Sequence, residues 1–307
     1  MYLYLPVALT SINILIPVGL GLAVGLLSGL FGVGGGFLLT PLLIMFGIPS
    51  TVAAATDSNQ IVAASTSGTY AHWKVGNVDF KMGLYLLAGG FLGGIIGVQA
   101  IKLLHAMGNA DFVIKITYIL MLGIVGVYMF IESLQSMRKN KNNIEDAKEE
   151  KESAVGRFLK SLPLQTRFEK SGITHSIFVP IVLGAFVGVL AAIMGVGGGF
   201  LMVPIMVYML RMPMHVVVGT SLFQILFTCI EVTFLQAYTN HSVDFILAVL
   251  LLLGSTVGAQ IGAAFGKKLK AEQLKILLAS IVLAVTIKIV FEITLTPSLL
   301  LSQVGGH

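Results

Sequence analysis

Charge is scarce in this chain. Lys, Arg, Asp and Glu together make up 11% of its 307 residues, hydrophobic residues make up 56%, and the mean hydropathy is +0.94. A water-soluble fold of this size needs more charge than that to cover its surface. Cysteine is nearly missing too. Cys229 stands alone inside an apolar stretch, which excludes an internal disulfide and a thiolate metal centre. No GxxxxGK[ST] motif occurs, so ATP held in a phosphate-binding loop is not an expected energy source. No Ser/His/Asp or Cys/His arrangement stands out, so an intramembrane enzyme lacks a nucleophile and base. His72, His105, His175, His215 and His241 lie at segment ends or in loops without metal-ligand spacing, and no cofactor is expected. The N-terminus has no basic start and no small-residue cleavage site ahead of a polar chain. It reads as a first membrane segment rather than a removed signal peptide.

What remains is long apolar runs, of the ~20 residues that cross a bilayer. The expected helical segments are 12–31, 36–48, 51–71, 82–104 and 112–133, then 176–194, 199–210, 215–238, 245–266 and 272–293. The fold class expected is an all-α polytopic protein of the cell membrane, with the lipid bilayer as its main partner. Residues 134–175 contain the mixed charge run "RKNKNNIEDAKEEKES" and read as a solvated linker, with a more apolar end that docks on the membrane face. The division is therefore 1–133, 134–175 and 176–307. The net charge of +5 bears on membrane orientation rather than on nucleic acid, and no nucleic-acid partner is expected.

The two halves match. "GVGGGF" at 32–37 returns at 195–200, Pro41 falls on Pro204, "ATDSNQ" (55–60) on "GTSLFQ" (219–224), and Asp79 on Asp244. "GGFLGGIIG" (89–97) falls on "GSTVGAQIG" (254–262). This is a duplicated unit of about five helical segments. The basic residues argue that the copies are inverted. Lys74, Lys81, the nine Lys and Arg of 134–175, Arg211, Lys267, Lys268, Lys270 and Lys275 then share the cytoplasmic face, leaving Lys102 and Lys115 opposite and Lys288 to snorkel. Segments 36–48 and 199–210 are too short to span a ~30 Å core and are expected to be broken or re-entrant.

Inverted repeats with broken helices are a transporter plan. Helices starting at Gly36 and Gly199 would present backbone N–H groups, and glycine lets a ligand approach them closely. Two such ends arriving from opposite faces would form a pocket for a small anion near mid-depth. The expected substrate-binding set is Gly34, Gly35, Gly36, Gly197, Gly198 and Gly199, with Thr56, Gln60, Thr220 and Gln224 as polar stripes at i, i+4 spacing. Tight turns and interhelical bonding are the alternative for both features. The glycines 89, 93, 97 and 254, 258, 262 have GxxxG spacing and are assigned to helix packing, a face that would also serve a homodimer. Asp57 and Glu231 are the coupling candidates, since burial favours the neutral form of a carboxyl.

The chain resembles the sulfite exporter TauE/SafE family. The resemblance covers nearly the whole chain and rests on the doubled "GVGGGF" with Pro41 and Pro204, on "ATDSNQ" and "GTSLFQ", on "GNVDF" (76–80) and on "LPLQTRFEKSGI" (162–173). It implies transport of sulfite, sulfonates or related sulfur-containing anions. The charged stretch 139–152 looks like a variable part of the linker. Secondary transport by alternating access, coupled to an ion gradient, is the leading expectation. A channel with a Gly-rich backbone filter is the alternative.

Overall fold

The computed structural model describes residues 2–31, 36–139, 163–266 and 271–295. Ten α-helices and two short hairpins make up the described chain, and each half runs through them in the same order. In the first half a hairpin, β1 (Tyr2–Leu5) and β2 (Thr10–Asn13), leads into α1 (Leu15–Phe31), α2 (Gly36–Met45), α3 (Ser50–Lys74), α4 (Phe80–Ala106) and α5 (Ala110–Lys139). In the second, β3 (Gln165–Phe168) and β4 (Ile173–Ser176) lead into α6 (Phe178–Met194), α7 (Gly199–Pro204), α8 (Met214–Leu235), α9 (Phe245–Gly266) and α10 (Ala271–Leu295). Single π turns follow α7 (Ile205–Met209) and α8 (Gln236–Asn240). The expected helical segments are all present, with ends displaced by a few residues. The hairpins were not expected. Residues 2–13 form one where the first membrane segment was thought to begin, and 165–176 form the other at the end of the supposed linker.

Four described helices are long and apolar enough to cross a membrane: Phe80–Ala106, Ala110–Tyr128, Met214–Asn240 and Phe245–Gly262. The exposed side chains of these helices include Leu84, Ile95, Ile124, Val257 and Phe234. Polar side chains lie inside instead, Thr40, Asp57, Gln60, Thr220 and Gln224 among them. Apolar outside and polar inside is what a bilayer selects, because lipid cannot satisfy a polar group. The chain is a multi-pass integral membrane protein.

The halves interlock by exchange. α1 packs chiefly on α9 and α4 on α6, each pair joining one half to the other. Glycines make that approach close. Gly89, Gly93 and Gly97 of α4 lie over Ile181, Ala185 and Val189 of α6. Gly254, Gly258 and Gly262 of α9 lie over Val18, Leu22 and Leu26 of α1. In both pairs the residue numbers rise together, so the helices run parallel. A Cβ on Gly93 would stand 2.0 Å from the Ala185 carbonyl oxygen. These glycines therefore serve helix packing, as their spacing predicts. At the centre α3 packs on α8, and α5 packs on α10 at the side. Here the numbers run oppositely: Gly68 meets Leu222 while Ile61 clusters with Ile225 and Cys229, and Gly126 meets Val282 while Gly123 meets Thr286.

Each hairpin is fastened to the other half through an aspartate that caps a helix. Asp79 begins α4 by accepting the Met82 N–H on Oδ1 at 3.0 Å. Its Oδ2 accepts the Ser171 N–H at 3.2 Å and the Ser171 hydroxyl at 2.5 Å, both from the β3–β4 turn. Asp244 does the same for α9. Its Oδ1 accepts the Leu247 N–H at 3.1 Å, and its Oδ2 accepts the Val7 N–H of the β1–β2 turn at 3.1 Å. An aspartate at the N-cap satisfies a helix donor that would otherwise be orphaned.

Candidate functional site

The two glycine-rich motifs approach each other at the centre of the molecule. Phe37 and Phe200, the residues that close them, are stacked with ring centroids 4.8 Å apart and planes 13° from parallel. Gly36 lies against Ile61 and the Asp57 carboxyl of α3. Gly197 lies against Ile61 as well, and against Ile225 and Cys229 of α8. One side chain, Ile61, thus touches both motifs. Gly34 and Gly35 lie outside the described residues.

The second motif is glycine-rich for local reasons that need no ligand. Gly197 has φ 68° and Gly198 has φ 76°, left-handed values that a side chain disfavours. A Cβ on Gly197 would also stand 2.6 Å from the Cys229 sulfur, and one on Gly198 would stand 2.1 Å from a Val187 methyl. The tight path lets α7 start, buried, at Gly199. α7 and its π turn are short, and Pro204, which lacks an N–H, closes the α-helical part.

Asp57 is fully buried on α3. The Thr40 hydroxyl of α2 donates to its Oδ2 at 2.8 Å, and Oδ1 has no partner. Thr40, absent from the sequence-derived set, is thus part of this group. Nearby, the Ser58 hydroxyl donates to the Gly195 carbonyl at 3.2 Å, and Tyr118 of α5 donates to the Met194 carbonyl. First-half side chains therefore hold the chain where the second-half motif begins. Gln60 and Gln224 are both buried with Oε1 unpartnered, and the Gln224 amide donates to the Thr228 hydroxyl at 3.0 Å. Buried polar atoms without partners are uncommon in a folded interior.

Thr56 and Thr220 have a different employment. Thr220 Oγ1 accepts the Asp79 N–H at 3.0 Å, and Thr56 Oγ1 accepts the Asp244 N–H at 3.2 Å. Each threonine supports the aspartate cap of the opposite half. Sequence reasoning aligned Asp79 with Asp244 but missed this role. The signal was present: an acid directly before an apolar helix is an N-cap pattern. Glu231 does not join the centre. It lies half-buried against Gly94 of α4, with Oε2 unpartnered. It stands two helical turns beyond Gln224, about 10 Å along the axis. Among the described residues, no three His, Cys, Asp or Glu side chains come together as a metal-binding group.

Comparison with known proteins assigns this architecture. Residues 18–289 match the family model "Sulfite exporter TauE/SafE". The chain is 28% identical over 274 residues to the probable membrane transporter protein YjnA of Bacillus subtilis, covering 88% of this chain and 97% of that one. It is 25% identical over 292 residues to the probable membrane transporter protein YunE of the same organism, covering 91% and 98%. A shorter match, 27% over 122 residues, links it to sulfite exporter TauE/SafE family protein 3 of Arabidopsis thaliana, covering 38% and 26%. No solved structure matches.

Proposed function

The chain belongs to the sulfite exporter TauE/SafE family, and from that premise we propose that it is a secondary transporter carrying a small sulfur-containing anion by alternating access. The observation that supports this reading best is the meeting of the two glycine motifs, with Phe37 stacked on Phe200 and the Asp57 carboxyl, one oxygen of it unpartnered, beside Gly36. Pairing directions support opposed copies: α3 and α8 run antiparallel, as do α5 and α10. Two copies so related put equivalent gates on opposite membrane faces, which alternating access requires.

In this reading Gln60 and Gln224 orient the anion. A half-turn of the Gln224 amide lets its oxygen accept from Thr228 and frees the NH2 group to donate. Asp57 carries the coupled proton. A second negative charge is tolerated beside a buried carboxyl only when that carboxyl is neutral. Proton and anion would then enter together, and a proton gradient would drive accumulation. Sulfite, thiosulfate and a sulfonate such as taurine are the substrates to try.

Purified protein in liposomes tests the reading. Saturable uptake of one of these anions, accelerated by the same anion on the far side, is the expected result. Uptake without that acceleration would indicate a channel. No uptake of any sulfur anion would overturn the assignment.

A further inference from the structure

α6 brings its carbonyl end into the centre of the molecule. Gly195, which ends the helix with φ 72°, packs on α3 so closely that a Cβ there would stand 1.9 Å from the Ala54 carbonyl oxygen. Asp57 lies less than one helical turn further along α3. The last carbonyls of a helix have no partner within it and carry the negative end of its dipole. Left bare, that end would repel an anion brought beside Asp57.

It is covered instead. The Gln236 amide donates to the Ala192 carbonyl at 3.1 Å, the Tyr118 hydroxyl to the Met194 carbonyl, and the Ser58 hydroxyl to the Gly195 carbonyl at 3.2 Å. The Gly195 N–H takes the Ala191 carbonyl at 2.8 Å. The three side chains come from the π turn after α8, from α5 and from α3, and all are buried. The Asp57 carboxyl and the Thr40 hydroxyl lie close enough to interact with the Tyr118 hydroxyl, so this cover borders the site. Other helices end differently. α4 closes with backbone alone, the N–H groups of Met107, Asn109 and Gly108 meeting the carbonyls of Leu103, Leu104 and His105. The repeat does not call for the side-chain donors either, since Ser58 falls on Leu222, which has nothing to donate.

We propose that Ser58, Tyr118 and Gln236 make the centre accept anions by screening the carbonyl end of α6. They are positioning residues that bond to backbone and not to substrate. The inference rests on the transporter reading above and adds to it the groups that set which sign of charge the centre admits. Screening has a signature. Repulsion by bare carbonyls grows with the charge on the ligand, so losing a donor costs a doubly charged anion more than a singly charged one. A merely loosened fold costs both alike.

The test is binding to detergent-purified, monodisperse protein, with affinity read from the ligand-dependent rise in melting temperature. The probes are thiosulfate, which carries two negative charges, and methanesulfonate, which carries one. Tyr118→Phe and Ser58→Ala should each weaken thiosulfate binding about three- to tenfold. Methanesulfonate binding should fall by only about the square root of that factor. Gln236→Leu, which bares a carbonyl farther back along α6, should show the same inequality with a smaller loss. Thr117→Val removes a hydroxyl that bonds only within α5, to the Val113 carbonyl, and should leave both affinities unchanged. If one variant does not fold, the others decide. Equal losses for the two probes, or none, overturn the screening while wild-type counterflow keeps the transporter reading standing. A wild type that neither binds nor exchanges either probe removes both.

Discussion

Asp57 and Glu231 look alike in the sequence, two lone acids in apolar helices, and packing is what separates them. Asp57 is sealed in the centre beside Gly36, bonded to Thr40 on one oxygen and to nothing on the other. Its counterpart, Ser221, turns its hydroxyl to the Val218 carbonyl of its own helix at 3.1 Å. The repeat therefore contributes an acid at this position from one half only, and in the proposed cycle that acid would carry one proton. Glu231 lies farther out against Gly94. Contacts across α2 and α3 decide this difference, and no local pattern encodes them. Asp57→Asn keeps the shape and removes the proton. It should abolish anion accumulation driven by a pH gradient while leaving anion-for-anion exchange near the wild-type rate. Glu231→Gln should retain both. Full gradient-driven accumulation in Asp57→Asn would move the coupling group elsewhere.

Helices were legible because apolar runs, prolines and glycines mark them out, and the GxxxG faces were legible because their spacing has one main use. The hairpins were not. Residues 2–13 are as apolar as a helix start, and only the partner strand four residues on makes "YLYL" a strand. Which helices the glycines join was also hidden, since spacing names a face and not its partner. The contacts now rank the glycines. A Cβ at Gly93 meets the Ala185 backbone at 2.0 Å, which no side-chain movement relieves. A Cβ at Gly123 has only a Thr286 methyl at 3.8 Å, an ordinary contact. Gly93→Ala should therefore force α4 from α6, cost at least about 1–3 kcal/mol, and lower the melting temperature of detergent-purified protein by several degrees. Gly123→Ala should be neutral or stabilise by up to about 1 kcal/mol, the helix preference of alanine over glycine. Equal melting temperatures for the two variants would mean that the α4–α6 approach is not as close as the backbone places it.

At the scale of the molecule the halves are held by exchange. The β3–β4 hairpin of the second half closes on Asp79 of the first, and the β1–β2 hairpin of the first half closes on Asp244 of the second. Thr220 and Thr56 secure the same two aspartates from the opposite halves. The family-like stretches "GNVDF" and "LPLQTRFEKSGI" are thus the two sides of one joint, with Lys170 reaching the Gly76 carbonyl at 3.3 Å. Neither could be paired with the other from sequence, because 92 positions separate Asp79 from Ser171. If the copies are opposed, the two joints sit on opposite membrane faces, each able to part when its side opens. Orientation then follows from charge: the β3–β4 joint carries Lys81, Arg167 and Lys170 and should be cytoplasmic. The hairpin tips are accessible places to ask. Leu9 and Glu169 are both exposed, and Cys229, the lone thiol, is removable as Cys229→Ala. In that background Leu9→Cys should react with an impermeant maleimide added outside intact cells. Glu169→Cys should react only after the membrane is opened. Labelling of both tips from one face would require the halves to run in the same direction, which would also remove the basis for two equivalent gates.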